Sequence, residues 1–194
     1  MIRLLLGIQS YWLGVAPEGG QRVYYANHQS HMDTVAIVGA LPAGERRRVR
    51  PLAAADFWDR PMLRLVARWH RAILIERKKV TRTSNPLRPI AEALEAGDSL
   101  LVYPEGTRGE TEEIGPFKGG IYHIAELKAG LRFVPTLVLN TNRILPKREI
   151  FPLPLGAAVF FGPEITLCAG EQKSEFTERC RAALQAIRDQ AGHE

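Results

Sequence analysis

The sequence predicts an α/β fold: a single domain, residues 1–194, with a largely parallel or mixed central sheet flanked by helices. Three observations carry this. Short, almost wholly apolar runs of strand length recur at residues 23–26, 99–103 and 133–139, the pattern of strands covered on both faces. Stretches that begin with helix-capping residues alternate with them, the order that βαβ units produce. The 194 residues, 45% hydrophobic and 24% charged, have the size and composition of one globular domain and exclude disordered, collagen-like and coiled-coil chains.

Each element has its local reason. Residues 2–13 are apolar with Tyr11 and Trp12 near their end, which suits a short amphipathic helix running into a strand. No window of about 20 residues is apolar throughout, so no spanning helix is expected. Pro17-Glu18-Gly19-Gly20 makes a turn before the buried strand at 23–26. Asp33-Thr34 can cap a helix that runs through Ala40 and stops at Pro42. A strand at 50–54 is followed by a helix at 61–69, capped by Asp56 or Asp59, and by a strand at 72–75 that ends at charge. Asn85 can cap a helix over 86–96, closed by Gly97. The strand at 99–103 opens into a polar, glycine-rich loop at 104–117, and a helix follows at 119–127. In the strand at 133–139, Pro135 marks an edge, a bulge or a pocket wall. Residues 146–154 read as irregular, 157–161 and 165–167 as a late pair of strands, and Ser174 as the cap of a final helix to about Gln190.

The net charge of +5 is uneven. Residues 45–82 hold twelve basic side chains, among them Arg46, Arg47, Arg48, Arg50 and Arg71, against four acidic ones. Such a run suits an anionic partner, whether a phosphorylated metabolite, a coenzyme, an acidic carrier, a lipid headgroup layer or a nucleic acid, or it is simply a solvated face. No recognised nucleic-acid-binding motif accompanies it. The two cysteines, Cys168 and Cys180, form neither a CxxC pair nor a metal spacing, which fits a reducing compartment.

Chemistry-bearing residues gather where strands end. Asn27-His28-Gln29-Ser30-His31-Met32-Asp33 follows the first buried strand. If Asp33 opens a helix, its carboxylate can fold back onto the His28 imidazole, fix the tautomer and leave the other ring nitrogen as a base. The sequence has no GxSxG elbow, so a nucleophile would come from the substrate. His28, His31 and Asp33 could also begin a metal site, but no further Cys/His cluster completes one. Tyr103-Pro104-Glu105-Gly106-Thr107-Arg108 follows a second buried strand. Gly106 lets the backbone approach a ligand, and Arg108 suits an oxyanion. Glu76-Arg77 and Val134-Pro135 stand at two further strand ends.

Together these four blocks resemble the glycerolipid acyltransferases typified by 1-acylglycerol-3-phosphate acyltransferase, with NHxxxxD at 27–33, an FPEGTR-like block at 103–108, and the motif-bearing core over about 20–140. The resemblance implies that His28 is the general base on an acceptor hydroxyl and that Asp33 orients it. It implies that Arg77, Glu105, Gly106, Thr107 and Arg108 bind the acceptor, and that Lys118, in Phe117-Lys118-Gly119-Gly120, contacts acyl donor or phosphate. The acyl group would arrive as a thioester of coenzyme A or acyl carrier protein, with no metal and no bound cofactor. The acceptor would be a lysophospholipid, most directly 1-acylglycerol 3-phosphate, or alternatively glycerol 3-phosphate. The expected setting is cytoplasmic, peripheral to the inner membrane face through residues 4–12 and the basic segment 46–50, with no nucleic-acid partner. A non-catalytic module that binds anionic lipid is the competing class. Two positions depart from the pattern: Ala54 stands where many members carry Lys, a charge that Arg48 or Arg50 could replace, and Arg71 stands where Gly is common.

Overall fold

Among the described residues, seven strands form one sheet in the order β1-β7-β6-β2-β5-β3-β4. They are β1 (Gln9–Trp12), β2 (Arg22–Ala26), β3 (Val49–Ala54), β4 (Ile73–Ile75), β5 (Ser99–Val102), β6 (Arg132–Leu139) and β7 (Ala158–Phe161). The computed structural model describes residues 7–30, 32–54, 71–75, 85–109, 113–141 and 156–192. Five neighbouring strands, β6 to β4 in spatial order, run parallel. β7 pairs antiparallel with β6, and β1 lies parallel to β7 at the edge. The sheet is therefore mixed. The expected helix at 61–69, the irregular stretch at 146–154 and the opening apolar residues 2–6 lie outside the described residues.

Alternation along β2 builds three layers. Val23 and Tyr25 point to one face and pack with Ile90, Leu94, Ile121 and Phe176. These come from α3 (Arg88–Glu95), α4 (Gly120–Glu126) and α5 (Lys173–Ala191). Tyr24 and Ala26 point to the other face and pack with Ala36, Ile37 and Ala40 of α1 (Met32–Ala40). Every residue of β2 is buried, as expected for a strand with a helix layer on each side. Trp12 stacks on Phe161 with ring centroids 4.0 Å apart. It is a partly buried member of the edge strand β1.

The helix starts differ from the expectation in instructive ways. Asp33 lies inside the first turn of α1 and does not cap it. Its carboxylate accepts the amides of Gln29 and Ser30, ahead of the helix. Asn85 forms a turn before α3, its Oδ1 accepting the Leu87 amide at 3.0 Å, and the helix begins at Arg88. α5 is capped by Gln172, not Ser174: Gln172 and Glu175 form a reciprocal capping box. The short α2 (Ala43–Arg48) has no apolar period to announce it. Arg46 donates to the carbonyls of Gly39 and Leu41 at the end of α1.

Pro135 sits inside β6, which has partners on both sides, so the edge-strand expectation fails. The bulge alternative explains it. Phe133 pairs with Ile165 and Thr136 with Phe161. Val134 and Pro135 therefore face Gly162, Pro163 and Glu164, and the missing proline N–H falls at that extra residue. Residues 165–167 contribute this single bridge instead of a full strand. Arg71 is held in the left-handed region at φ 52°, which is why a glycine suits the position. Its guanidinium bonds the Arg47 carbonyl and Asp98, and its own carbonyl accepts from Arg50.

Candidate active site

In an open α/β sheet, ligands bind beyond the carboxyl ends of strands where successive connections leave on opposite faces. β2 and β5 are neighbours of this kind. The chain leaving β2 enters α1 on one face, while the chain leaving β5 leads to α4 on the other. The 27–33 and 103–109 loops therefore meet over the crevice between them. Asn27 secures the junction: its side-chain oxygen accepts the Val138 amide at 2.8 Å, and its nitrogen donates to the Val138 carbonyl at 2.9 Å. This extends the pairing of β2 with β6 by one side-chain rung.

His28 Nδ1 lies 2.9 Å from Asp33 Oδ2, and Asp33 is fully buried. The same oxygen accepts the amides of Gln29 at 2.7 Å and Ser30 at 2.8 Å. Thr141 donates to the other oxygen, Oδ1. Donation from Nδ1 to this carboxylate leaves Nε2 with a lone pair, on a ring that is 21% exposed. One face of the imidazole stacks on Tyr103, with centroids 4.1 Å apart and planes 20° apart. The Tyr103 hydroxyl is 2.8 Å from the Thr34 hydroxyl on α1. Burial, with the Asp33 carboxylate nearby, pushes this phenol well above its ordinary range, so it stays protonated.

Glu105 faces inward. Its Oε1 accepts the His28 amide at 3.3 Å and its Oε2 the Gly115 amide at 3.1 Å. Burial raises its pKa above the ordinary carboxylate value, and these two N–H groups oppose the rise. Gly106 has φ 73°. A Cβ there would come within 2.8 Å of Lys118 Nζ, so the Lys118 side chain lies across the turn. Thr107, Arg108 and Lys118 are exposed beside it. Thus His28, Asp33, Glu105, Gly106, Thr107, Arg108 and Lys118 share one end of the sheet. Arg77 lies outside the described residues.

Arg50, from the described part of the basic run, does not join them. Arg50 is level with Leu100 and hence with Val23, five residues before His28, about 16 Å along the strand. It pairs with Asp98, which also holds Arg71. Arg50 therefore does not replace a missing lysine at the His28 end. An open cavity of about 460 Å³, lined in part by Tyr122, Lys128, Leu131 and Glu171, also lies where β6 begins, away from these loops. Sequence reasoning passed over Thr141, 108 residues from its partner. It also passed over the Asn27 rung and the Thr34–Tyr103 tie. Only the proximity of Asn27 to His28 hinted at any of the three.

Residues 8–139 match the acyltransferase family model. The chain belongs to this family. A chloroplastic 1-acyl-sn-glycerol-3-phosphate acyltransferase of Brassica napus is 27% identical over 124 residues, covering 64% of this chain and 34% of the relative. The human 1-acyl-sn-glycerol-3-phosphate acyltransferase alpha is 28% identical over 151 residues, covering 76% and 52%. A lyso-ornithine lipid O-acyltransferase of Brucella abortus is 26% identical over 134 residues, covering 68% and 48%. The matches thus span about a third to about half the length of these relatives. The crystal structure of the 1-acyl-sn-glycerophosphate acyltransferase of Thermotoga maritima aligns with a TM-score of 0.72 at 19% identity, over 96% of this chain and 73% of that one. That likeness is one of fold. The family match ends at Leu139, two residues before Thr141.

Proposed function

We propose that the chain transfers a fatty acyl group from a thioester, on coenzyme A or acyl carrier protein, to the hydroxyl of a lysophospholipid, most directly 1-acylglycerol 3-phosphate. The observation that carries this is the buried Asp33 carboxylate bonded to His28 Nδ1 at 2.9 Å, at a loop junction of a chain in the acyltransferase family. The names of the plant and human relatives support the acceptor.

The geometry of the His28–Asp33 pair supports the following steps. His28 Nε2 takes the proton of the acceptor hydroxyl as its oxygen attacks the thioester carbonyl. The imidazolium that forms is stabilised by Asp33. The tetrahedral intermediate collapses, the carbon–sulfur bond breaks, and the thiolate leaves with the proton that His28 held. General base catalysis of this kind contributes roughly 10²–10⁴-fold. Arg108 and Lys118 meet the acceptor phosphate, and Arg77 joins them by resemblance. Glu105 serves the acceptor indirectly, by holding the His28 loop against the turn that carries Arg108. No resident metal or cofactor takes part. Among the described residues no helix is long and apolar enough to cross a membrane, and the lipid acceptor is met at a bilayer surface, on the cytoplasmic side.

A second acceptor class is favoured by one observation, the Brucella abortus relative named for lyso-ornithine lipid. Thiol release from acyl-CoA, measured with lysophosphatidate, glycerol 3-phosphate and lyso-ornithine lipid in parallel, separates the readings. The proposal expects lysophosphatidate to give the highest kcat/KM. Preference for lyso-ornithine lipid would move the acceptor class. Vesicle binding without acceptor-dependent thiol release from acyl-CoA or acyl carrier protein would favour a lipid-binding module.

A further inference from the structure

The geometry points to Thr141 as a positioning residue for the reaction, acting through Asp33; this rests on the His28–Asp33 base proposed above. Asp33 is fully buried. Three donors converge on its Oδ2: the His28 ring, the Gln29 amide and the Ser30 amide. Among the described residues, Thr141 alone is bonded to Oδ1. A carboxylate held through one oxygen only can turn about its terminal torsion, which is broad and two-fold. A partial turn would carry Oδ2 out of line with Nδ1 and loosen the tautomer on which the base depends. The Thr141 hydroxyl fixes that torsion from the opposite side.

The backbone explains how a residue so distant in sequence reaches the carboxylate. β6 ends at Leu139, and Asn140 takes a left-handed φ of 65°, a conformation that asparagine tolerates better than most residues. This turns the chain so that Thr141, itself fully buried, sits beneath α1. The Asn27 rung on Val138 fixes β6 against β2 three residues earlier. The end of β6 therefore touches both ends of the 27–33 loop: Asn27 before His28, and Asp33 after it. A packing role alone would need the methyl group. A positioning role needs the hydroxyl.

Three variants separate these roles in the full-length protein, with lysophosphatidate and acyl-CoA as substrates. Thr141→Val keeps the shape and removes the donor; Thr141→Ser keeps the donor. Thr141→Val should lose about 10- to 100-fold in kcat, the range for a hydrogen bond to a charged group. Both KM values should stay within about twofold, since Thr141 meets neither substrate. Thr141→Ser should recover most of kcat. The downfield proton resonance of the His28 Nδ1–H, assigned by its loss in His28→Ala, should shift or broaden in Thr141→Val and return in Thr141→Ser. A folded Thr141→Val with wild-type kcat and an unchanged resonance would overturn the inference. So would a loss that Thr141→Ser does not restore. Should Thr141→Val fail to fold, Thr141→Ala is read against Thr141→Ser in the same way. His28→Ala is assayed alongside: turnover retained there overturns the base itself, whereas an inactive His28→Ala beside a normal Thr141→Val overturns only the role of Thr141.

Discussion

The two ends of the sheet carry polar clusters made from the same residue types and put together differently. Where the parallel strands begin, acids are neutralised by cations. Arg22 meets Glu164 at 2.7 Å, Arg132 shares that carboxylate, and Arg50 and Arg71 share Asp98. Further donors of Arg22 and Arg71 go to the main-chain carbonyls of Pro17 and Arg47. Where the strands finish, Asp33 and Glu105 accept main-chain amides and one imidazole. The cations Arg108 and Lys118 stand exposed beside them. An acid paired with arginine fastens the chain. An acid that orients a histidine, with exposed cations beside it, prepares a place for a proton and an anion.

The largest expected effect falls at the finishing end. Asp33→Asn should lower turnover roughly 10²–10⁴-fold while circular dichroism stays native, because an amide donates where the carboxylate accepted and favours the wrong tautomer. A loss below tenfold would blur the distinction between the two ends.

The beginning end should respond in stability instead. Arg22 is almost fully buried, and its partner Glu164 is a quarter exposed. Arg22→Met should lower unfolding free energy by about 2 kcal/mol, less than a fully buried pair would lose. Its denaturation midpoint should fall, while kcat per folded molecule holds within about twofold. A selective loss of kcat would show that this end also serves the reaction.

Arg108→Lys should raise the KM of a phosphate-bearing acceptor several-fold and leave the thioester KM nearly unchanged, because the planar fork is lost while the charge is kept. An equal effect on an uncharged acceptor such as monoacylglycerol would remove phosphate from the role of Arg108.

The smallest effect concerns pH. Glu105 has its folded pKa raised, first by burial. Its stabilising contribution is therefore complete below the unfolded value near about 4.3 and declines as pH rises through the raised folded value. Glu105→Gln cannot ionise, so its stability relative to wild type should improve as pH climbs through that window. Denaturant unfolding from acid to neutral pH reads this. A stability difference that is flat with pH would place the carboxyl in a more solvated setting.

Much of this contrast could be read from the residues. The buried strands expected at 23–26 and 99–103 follow from almost wholly apolar runs, and the His28 and Arg108 loops follow from their positions at strand ends. What stayed hidden depends on distance in sequence or on competition among polar groups. Thr141 reaches Asp33 because Asn140 turns left-handed, and no local pattern encodes that. Asp33 looked like a helix cap because aspartate caps well, yet the amides of Gln29 and Ser30 and the His28 ring claim one of its oxygens and the Thr141 hydroxyl the other. Ser174 lost the cap of α5 to Gln172 because Glu175 completes a capping box there. Arg50 could have replaced the lysine charge missing at Ala54, but the register places it level with Val23, beside Asp98.

The central claim is that His28 is the base of an acyl transfer. The most direct measurement is single-turnover thiol release from acyl-CoA, with and without lysophosphatidate, by wild type and His28→Ala at matched folded concentration. The account predicts acceptor-dependent release by wild type and a loss of at least about 10²–10⁴-fold in His28→Ala, with unchanged thermal unfolding. A folded His28→Ala protein that releases thiol at near wild-type rate would contradict it.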